Sequence, residues 1–221
     1  MSGFSTARQK MVDGQVRTND VTDPRILDAM LALPRENFVP EQKRALAYLD
    51  LDLDVTEGGS AERCLIKPQL TAKLLQAAEI KASDRVLIVG CATGYMAALA
   101  ARLAAKVTAT DSDPKLVAKG KDVLAALGFT NVAFNVAAAA EGDPASAPFD
   151  VIILNGATEV TPDRLYKQLR EGGRLVGVFA MSRPARAKIV THWQGDLGNR
   201  ALFDAAAPVL PGLEKHQEFV F

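Results

Sequence analysis

Cysteine, histidine and a dominant sign of charge are what this chain lacks. It has two cysteines, Cys64 and Cys91, and two histidines, His192 and His216, in 221 residues. The cysteines fall in different predicted elements with no metal-ligand spacing, which argues against both a disulfide framework and a thiolate metal centre. No such spacing joins the histidines, so they are expected to be surface or packing residues, and no metal is expected. The 26 basic residues balance 26 acidic ones, a formal net charge of zero. Without a basic excess, neither nucleic acid nor an anionic membrane is expected as a partner. The longest apolar runs fall far short of a bilayer span. The start, Met1-Ser2-Gly3-Phe4, is not charged-then-apolar, so the expected location is cytoplasmic. What is present is apolar content, 48% of residues, enough for a full core.

The first part of the chain reads as helical. Phe4, Ala7, Met11 and Val16 recur at near-helical spacing over residues 4–18, with Arg8, Lys10 and Arg17 between them. The apolar stripe of that helix is compatible with a homo-oligomer. Asp23-Pro24 is an N-cap followed by a first-turn proline, and Ile26, Leu27, Met30, Leu31 and Leu33 make a second helix that Pro34 ends. Residues 49–60 read as loop or irregular strand, with Gly58-Gly59-Ser60 as a flexible tip. Pro68 opens a third helix with Leu70, Leu74, Leu75 and Ala78 on one face. Residues 1–80 are therefore expected to form a helical extension or substrate cap, and residues 81–221 an α/β core.

Strand and helix alternate from Arg85 onward. Strands are predicted at 86–90, 106–110, 131–136, 149–154, 175–179 and 187–193, with a further one around 200–206. Helices are predicted at 94–104, 114–127 and from Thr161-Pro162 to Arg170, the last ended by Gly172-Gly173. This alternation predicts a doubly wound, mostly parallel, seven-stranded Rossmann-like sheet with helices on both faces. Ligands of such sheets bind beyond the carboxyl ends of the strands, at the point where strand order reverses. Gly90, Asp111 and Asn155 all fall at strand ends.

The run Val86-Leu87-Ile88-Val89-Gly90-Cys91-Ala92-Thr93-Gly94-Tyr95 is the strongest ligand signal. A buried strand meets a glycine turn and then a helix, which lets bare backbone approach a nucleotide-like ligand. Asp111 ends the next strand, close to the spacing of about 20 residues expected of a carboxylate on ribose hydroxyls. The turn lacks the G-x-G-x-x-G of dinucleotide sites, since Ala92 and Tyr95 stand at the later glycine positions. It also lacks the Gly-Lys-Ser/Thr of a Walker loop. A pocket with an adenosine seat but no phosphate cradle suits S-adenosylmethionine better than NAD or ATP. An ordinary strand-to-helix turn stays open as the alternative. Cys91 in that turn reads as a small packing residue and not a nucleophile.

These residues carry a resemblance to the protein-L-isoaspartate (D-aspartate) O-methyltransferases, within the class I methyltransferases. Met11-Val12 with Gln15-Val16 resembles the family's opening helix. Asp23 to Met30, then Pro34-Arg35-Glu36-Asn37-Phe38-Val39-Pro40, is similar to a long and specific hallmark, and Ala47-Tyr48 follows at the family's spacing. Val86 to Tyr95 resembles motif I, Pro148 to Ile152 the fourth strand, and Gln168 to Val176 the segment closing the core. The resemblance implies S-adenosylmethionine held by Gly90, Cys91, Ala92, Gly94 and Tyr95, with Asp111 on the ribose and Ser112 and Ala138 beside the adenosine. It implies methyl transfer to the α-carboxyl of isoaspartyl residues in damaged proteins or peptides. The ester then collapses to a succinimide that can reopen to aspartate.

The chain departs from the family at three places. Where the family has Thr-Ile-Ser-x-Pro, it has Cys64-Leu65-Ile66-Lys67-Pro68, so Ile66 replaces a serine near the methyl acceptor. Where the family has Gly-Asp-Gly it has Ala137-Ala138-Ala139, losing an adenine acceptor worth about 0.5–1.5 kcal/mol. Ala92 replaces a glycine, and its methyl is tolerable if the local φ is negative. Three readings stay open: an isoaspartyl methyltransferase, a divergent relative without repair activity that serves as a regulatory or interaction module, and a methyltransferase for another acceptor. Acceptor-side candidates are Ile66, Lys67, Asn155 and Thr158. Lys67 could pair with a carboxylate in place of the serine contact, although a solvated lysine before a helix-starting proline is the plainer reading.

Overall fold

The computed structural model describes residues 3–56 and 62–215; Gly58-Gly59-Ser60 and His216 lie outside the described residues. The N-terminal helical stripe becomes α1 (Gly3–Met11), but the predicted helix over 4–18 does not continue unbroken. At Gly14 it loosens into a π turn over Val12–Val16 and tightens into a 3-10 turn over Arg17–Asn19. Thr18 and Asn19 there turn their side chains back onto the carbonyls of Gly14 and Gln15, both at 2.8 Å, and Asp20 ends the run with φ +61°. In α2 (Pro24–Ala32), Asp23 accepts the Arg25 N–H at 2.9 Å, as its cap position requires. Two short strands follow, β1 (Leu53–Asp54) and β2 (Cys64–Leu65), paired antiparallel, and then α3 (Pro68–Ala78).

The remaining elements are β3 (Arg85–Val89), α4 (Tyr95–Ala101), β4 (Lys106–Asp111), α5 (Pro114–Ala126), β5 (Val132–Val136), β6 (Phe149–Thr158), α6 (Asp163–Tyr166), β7 (Leu169–Phe179), β8 (Arg186–Trp193) and β9 (Asp196–Asp204). They form one seven-stranded sheet in the order β5-β4-β3-β6-β7-β8-β9. The first five are mutually parallel and the last two pairings, β7 with β8 and β8 with β9, are antiparallel, so the sheet is mostly parallel as predicted. The chain runs outward from β3 to β5, then returns to β6 on the other side of β3. The strand order therefore reverses between β3 and β6, where the ends Gly90 and Asn155 meet.

Apolar alternation along β3 explains the layering. Val86 and Ile88 join a large buried cluster that also holds Met11, Phe38, Leu74 and Leu99, while Leu87 and Val89 face a second cluster with Phe149, Leu165 and Leu210. The first cluster runs across the predicted boundary at residue 80. Arg35, buried in this layer, donates to the carbonyls of Ala47 at 2.8 Å and Ile66 at 2.9 Å, and its guanidinium lies 4.6 Å over the Tyr95 ring.

A second predicted helix is also corrected. The helix expected from Thr161 to Arg170 is a single turn, and β7 has already begun at Leu169. Gln168 terminates the turn: its side-chain NH2 donates to the carbonyls of Glu141 at 2.7 Å and Arg164 at 3.0 Å. Its oxygen accepts the Asp143 N–H at 2.9 Å. Gly172-Gly173 is then an irregularity within a strand and not a helix stop, because a Cβ on Gly173 would sit 2.9 Å from the Phe149 carbonyl of the neighbouring strand.

Candidate cofactor site

The turn after β3 is tied down from three sides. The Cys91 N–H donates to the Thr110 carbonyl at 2.8 Å, and the Gly94 N–H closes onto the Cys91 carbonyl at 2.8 Å. Asn155, at the tip of β6, donates its amide to the Gly90 carbonyl at 2.8 Å. Thr93 donates its hydroxyl to the Phe38 carbonyl at 2.5 Å, which ties the Pro34–Pro40 segment to this turn. Gly90 and Gly94 have φ of +72° and +91°, and Ala92 between them has +49°. The condition of a negative φ at Ala92 is not met, so its methyl is carried in the left-handed region at a cost of about 1–2 kcal/mol. The surrounding bonds hold that strain.

Asp111 reaches the same turn from β4. Its Oδ2 accepts the Ala92 N–H at 2.8 Å and its Oδ1 the Asp113 N–H at 3.2 Å. The turn and the carboxylate are therefore adjacent, as the adenosine reading requires. Cys91 is fully buried, and burial, with the nearby Asp111 charge adding to it, pushes its thiol pKa well up. A neutral, enclosed thiol suits packing and not attack.

The sequence reading missed what fills the space over this turn. Arg63 is buried, and its Nη2 lies 2.7 Å from Asp111 Oδ2, with Nε at 3.2 Å from each carboxylate oxygen. A Cβ built on Gly90 would fall 2.6 Å from the Arg63 guanidinium and 2.5 Å from Leu210. Two remote segments thus converge on the bare backbone. Arg63 is fixed just before β2, its N–H on the Thr56 hydroxyl and its carbonyl accepting the Val55 N–H, both at 2.8 Å. Leu210 is fixed by strand-like pairing beside β6: the Ala157 N–H donates to the Pro208 carbonyl at 2.8 Å and the Leu210 N–H to that of Ala157 at 2.9 Å. A buried strand-end carboxylate needs a cation, and that was the available signal for Arg63. For Leu210 the only hint was an apolar run between Pro208 and Pro211.

The other expected site residues are distributed as follows. Ser112 and Ala138 are exposed, and the Ala138 carbonyl accepts the N–H groups of Glu141 and Gly142 in a turn. The Tyr95 side chain is given to packing, its ring edge-on to Phe38 at 5.2 Å. Ile66 is 2% exposed and belongs to the large apolar cluster. Thr158 is buried and its hydroxyl donates to the Val160 carbonyl at 2.6 Å. Lys67 lines a cleft of about 190 Å³ between the start of α3 and the end of β9, together with Lys73, Phe203 and Asp204. The structure brings Gly90, Cys91, Ala92, Asp111 and Asn155 together; among these contacts Ile66, Lys67 and Thr158 do not appear.

The frame fits an adenosyl group, with bare backbone beside a carboxylate at the reversal of strand order. Within that frame, Arg63 and Leu210 lie over Gly90.

Comparison with known proteins agrees with the frame. The family model described as Protein-L-isoaspartate(D-aspartate) O-methyltransferase matches residues 6–192. The chain is 39% identical over 176 residues to a protein-L-isoaspartate O-methyltransferase of Koribacter versatilis, covering 80% of this chain and 78% of that one. It is 36% identical over 193 residues to one from Roseiflexus sp., covering 87% and 86%. A solved protein-L-isoaspartate O-methyltransferase superposes with a TM-score of 0.81 at 26% identity, over 94% of this chain and 67% of that one. A Plasmodium falciparum structure, described as a complex with S-adenosyl-L-homocysteine, shares the fold with a TM-score of 0.76 at 16% identity, over 95% and 99%. With the hallmark segment, the turn and Asp111 all in place, the chain belongs to the protein-L-isoaspartate(D-aspartate) O-methyltransferase family.

Proposed function

We propose that this chain transfers a methyl group from S-adenosylmethionine to the carboxylate of isoaspartyl residues in damaged proteins or peptides. The observation that carries this reading is the junction of the Gly90–Gly94 turn with Asp111, joined by the 2.8 Å bond from Ala92, at the sheet's reversal point. In this role Asp111 accepts the ribose hydroxyls, Gly90 to Gly94 present bare backbone, Ser112 and Ala138 flank the adenosine, and Asn155 keeps the Gly90 peptide oriented. Bound there, the cofactor would supply an electrophilic sulfonium methyl.

The acceptor is already an anion, so the chain need not remove a proton. Its tasks are to position the carboxylate in line and to exclude water. Lys67, which lines the cleft together with Lys73, is assigned to the acceptor carboxylate, with residues 1–80 as the cap over it. The substrates would be aged proteins of the cytoplasm. Among the described residues, no helix is long and apolar enough to cross a membrane.

Calorimetric titration with S-adenosylhomocysteine, then methyl transfer to an isoaspartyl peptide, tests the reading. Micromolar-range binding is expected, and Asp111→Ala made in a chain that already carries Arg63→Gln should weaken it at least about tenfold by loss of a charged acceptor. No heat and no thermal shift at millimolar ligand, or unchanged affinity in the variant, would reject it.

A further inference from the structure

The adenosyl seat is filled by the chain's own side chains, and the filling is specific. Asp111 has its acceptor positions taken by Arg63, Ala92 and Asp113. The same guanidinium and Leu210 lie over the one glycine whose bareness the ligand would use. Arg63 mimics the ligand in the relevant respect, since it offers the carboxylate two N–H donors where a ribose diol would offer two hydroxyls. Both plugging segments are held by backbone bonds of their own, so the side chains do not rest there by chance.

We infer that Arg63 and Leu210 form a latch on the adenosyl pocket, and that cofactor binds only in competition with the Arg63–Asp111 pair. This rests on the methyltransferase reading above and adds an access-determining residue to it. A pocket that is open in a fraction of molecules binds with an affinity reduced by that fraction. A latch closed about ten times more often than open therefore weakens apparent affinity about tenfold.

The test is S-adenosylhomocysteine binding, by calorimetry and by thermal shift, to the full native chain, Arg63→Gln and Leu210→Ala. Glutamine cannot span to Asp111 with the same pair of charged donors, and alanine removes one of the two side chains over Gly90 while leaving the ion pair in place. Arg63→Gln is expected to bind at least tenfold tighter than the native chain, and Leu210→Ala several-fold tighter. Circular dichroism checks that each variant is folded, and Leu210→Ala carries the test alone if Arg63→Gln is not. Native-like or weaker binding in the folded variants, with the native chain binding, overturns the latch and leaves the methyltransferase reading standing. Absence of binding by all three at millimolar ligand overturns that reading, and the latch with it.

Discussion

Removing one charge at a time from the Arg63–Asp111 pair should have very unequal effects on stability, even without ligand. Consider Asp111→Asn. Among the described residues, Asp111 accepts the hydrogen bonds of the Arg63 guanidinium, at 2.7 to 3.2 Å. Taking the carboxylate away leaves a buried cation without a counterion, which costs about 3–5 kcal/mol. Now consider Arg63→Gln. Asp111 keeps the Ala92 and Asp113 N–H groups at 2.8 and 3.2 Å, and a carboxylate so solvated loses less. The cost there is about 1–3 kcal/mol. For a chain of this length each kcal/mol moves the melting temperature by about 2–4 °C, so the two variants should differ by several degrees. Because the residues are in contact, the double variant should cost less than the sum of the singles by at least about 1 kcal/mol. Urea unfolding followed by far-ultraviolet circular dichroism reads all three, provided the slope with denaturant is unchanged. Equal costs for the two singles, or a cost below about 1 kcal/mol for Asp111→Asn, would refute the view that the carboxylate is the cation's main support.

Other consequences are open to measurement. Glu79, exposed at the end of α3 with φ +48°, holds a left-handed conformation that glycine adopts without strain. Glu79→Gly should stabilise the chain by about 0.5–1 kcal/mol in the same urea assay, after allowing for the extra freedom of the unfolded chain; a loss of stability would contradict the strain argument. Tyr166 has its phenol pushed up to about 12, chiefly by burial and then by the Asp163 charge. A raised pKa in the folded state means that its stabilisation is complete below the unfolded value of about 10 and is lost as pH climbs toward 12. Tyr166→Phe should flatten part of the alkaline fall in melting temperature, and an unchanged curve would place the titration elsewhere. Burial, with Glu62 adding to it, lifts the Cys64 thiol to about 12, and Cys91 is lifted too. Both should react with a thiol reagent far more slowly in native buffer than in urea; rapid native labelling would count against their enclosure.

Local chemistry carried much of the fold in readable form. Asp23-Pro24 and Asp113-Pro114 begin helices where they were expected to, because a capping carboxylate and a first-turn proline act within a few residues. Val86 to Val89, with apolar side chains on both faces, could only be an interior strand of a parallel sheet. The helix over 161–170 was misread because its end depends on Gln168 bonding to Glu141 and Asp143, more than 20 residues away. The site was half legible for the same reason. Gly90 and Asp111 announce themselves through spacing within one strand–turn–helix–strand unit. Arg63 and Leu210 reach the turn from distant parts of the chain, and no local pattern records that they meet.

The outermost strand has a bearing on how such a sheet stays in solution. β9 closes the row of strands, so one of its edges offers peptide groups that another chain could pair with. Asp196, Arg200 and Asp204 are spaced along it, and Gly198 interrupts its side-chain cover. Charges of both signs and a weak strand former discourage a stranger from zipping on. Replacing Arg200 and Asp204 together with valine should turn this rim into a seed for fibrous aggregates, with the distant turn at Gly90 left intact.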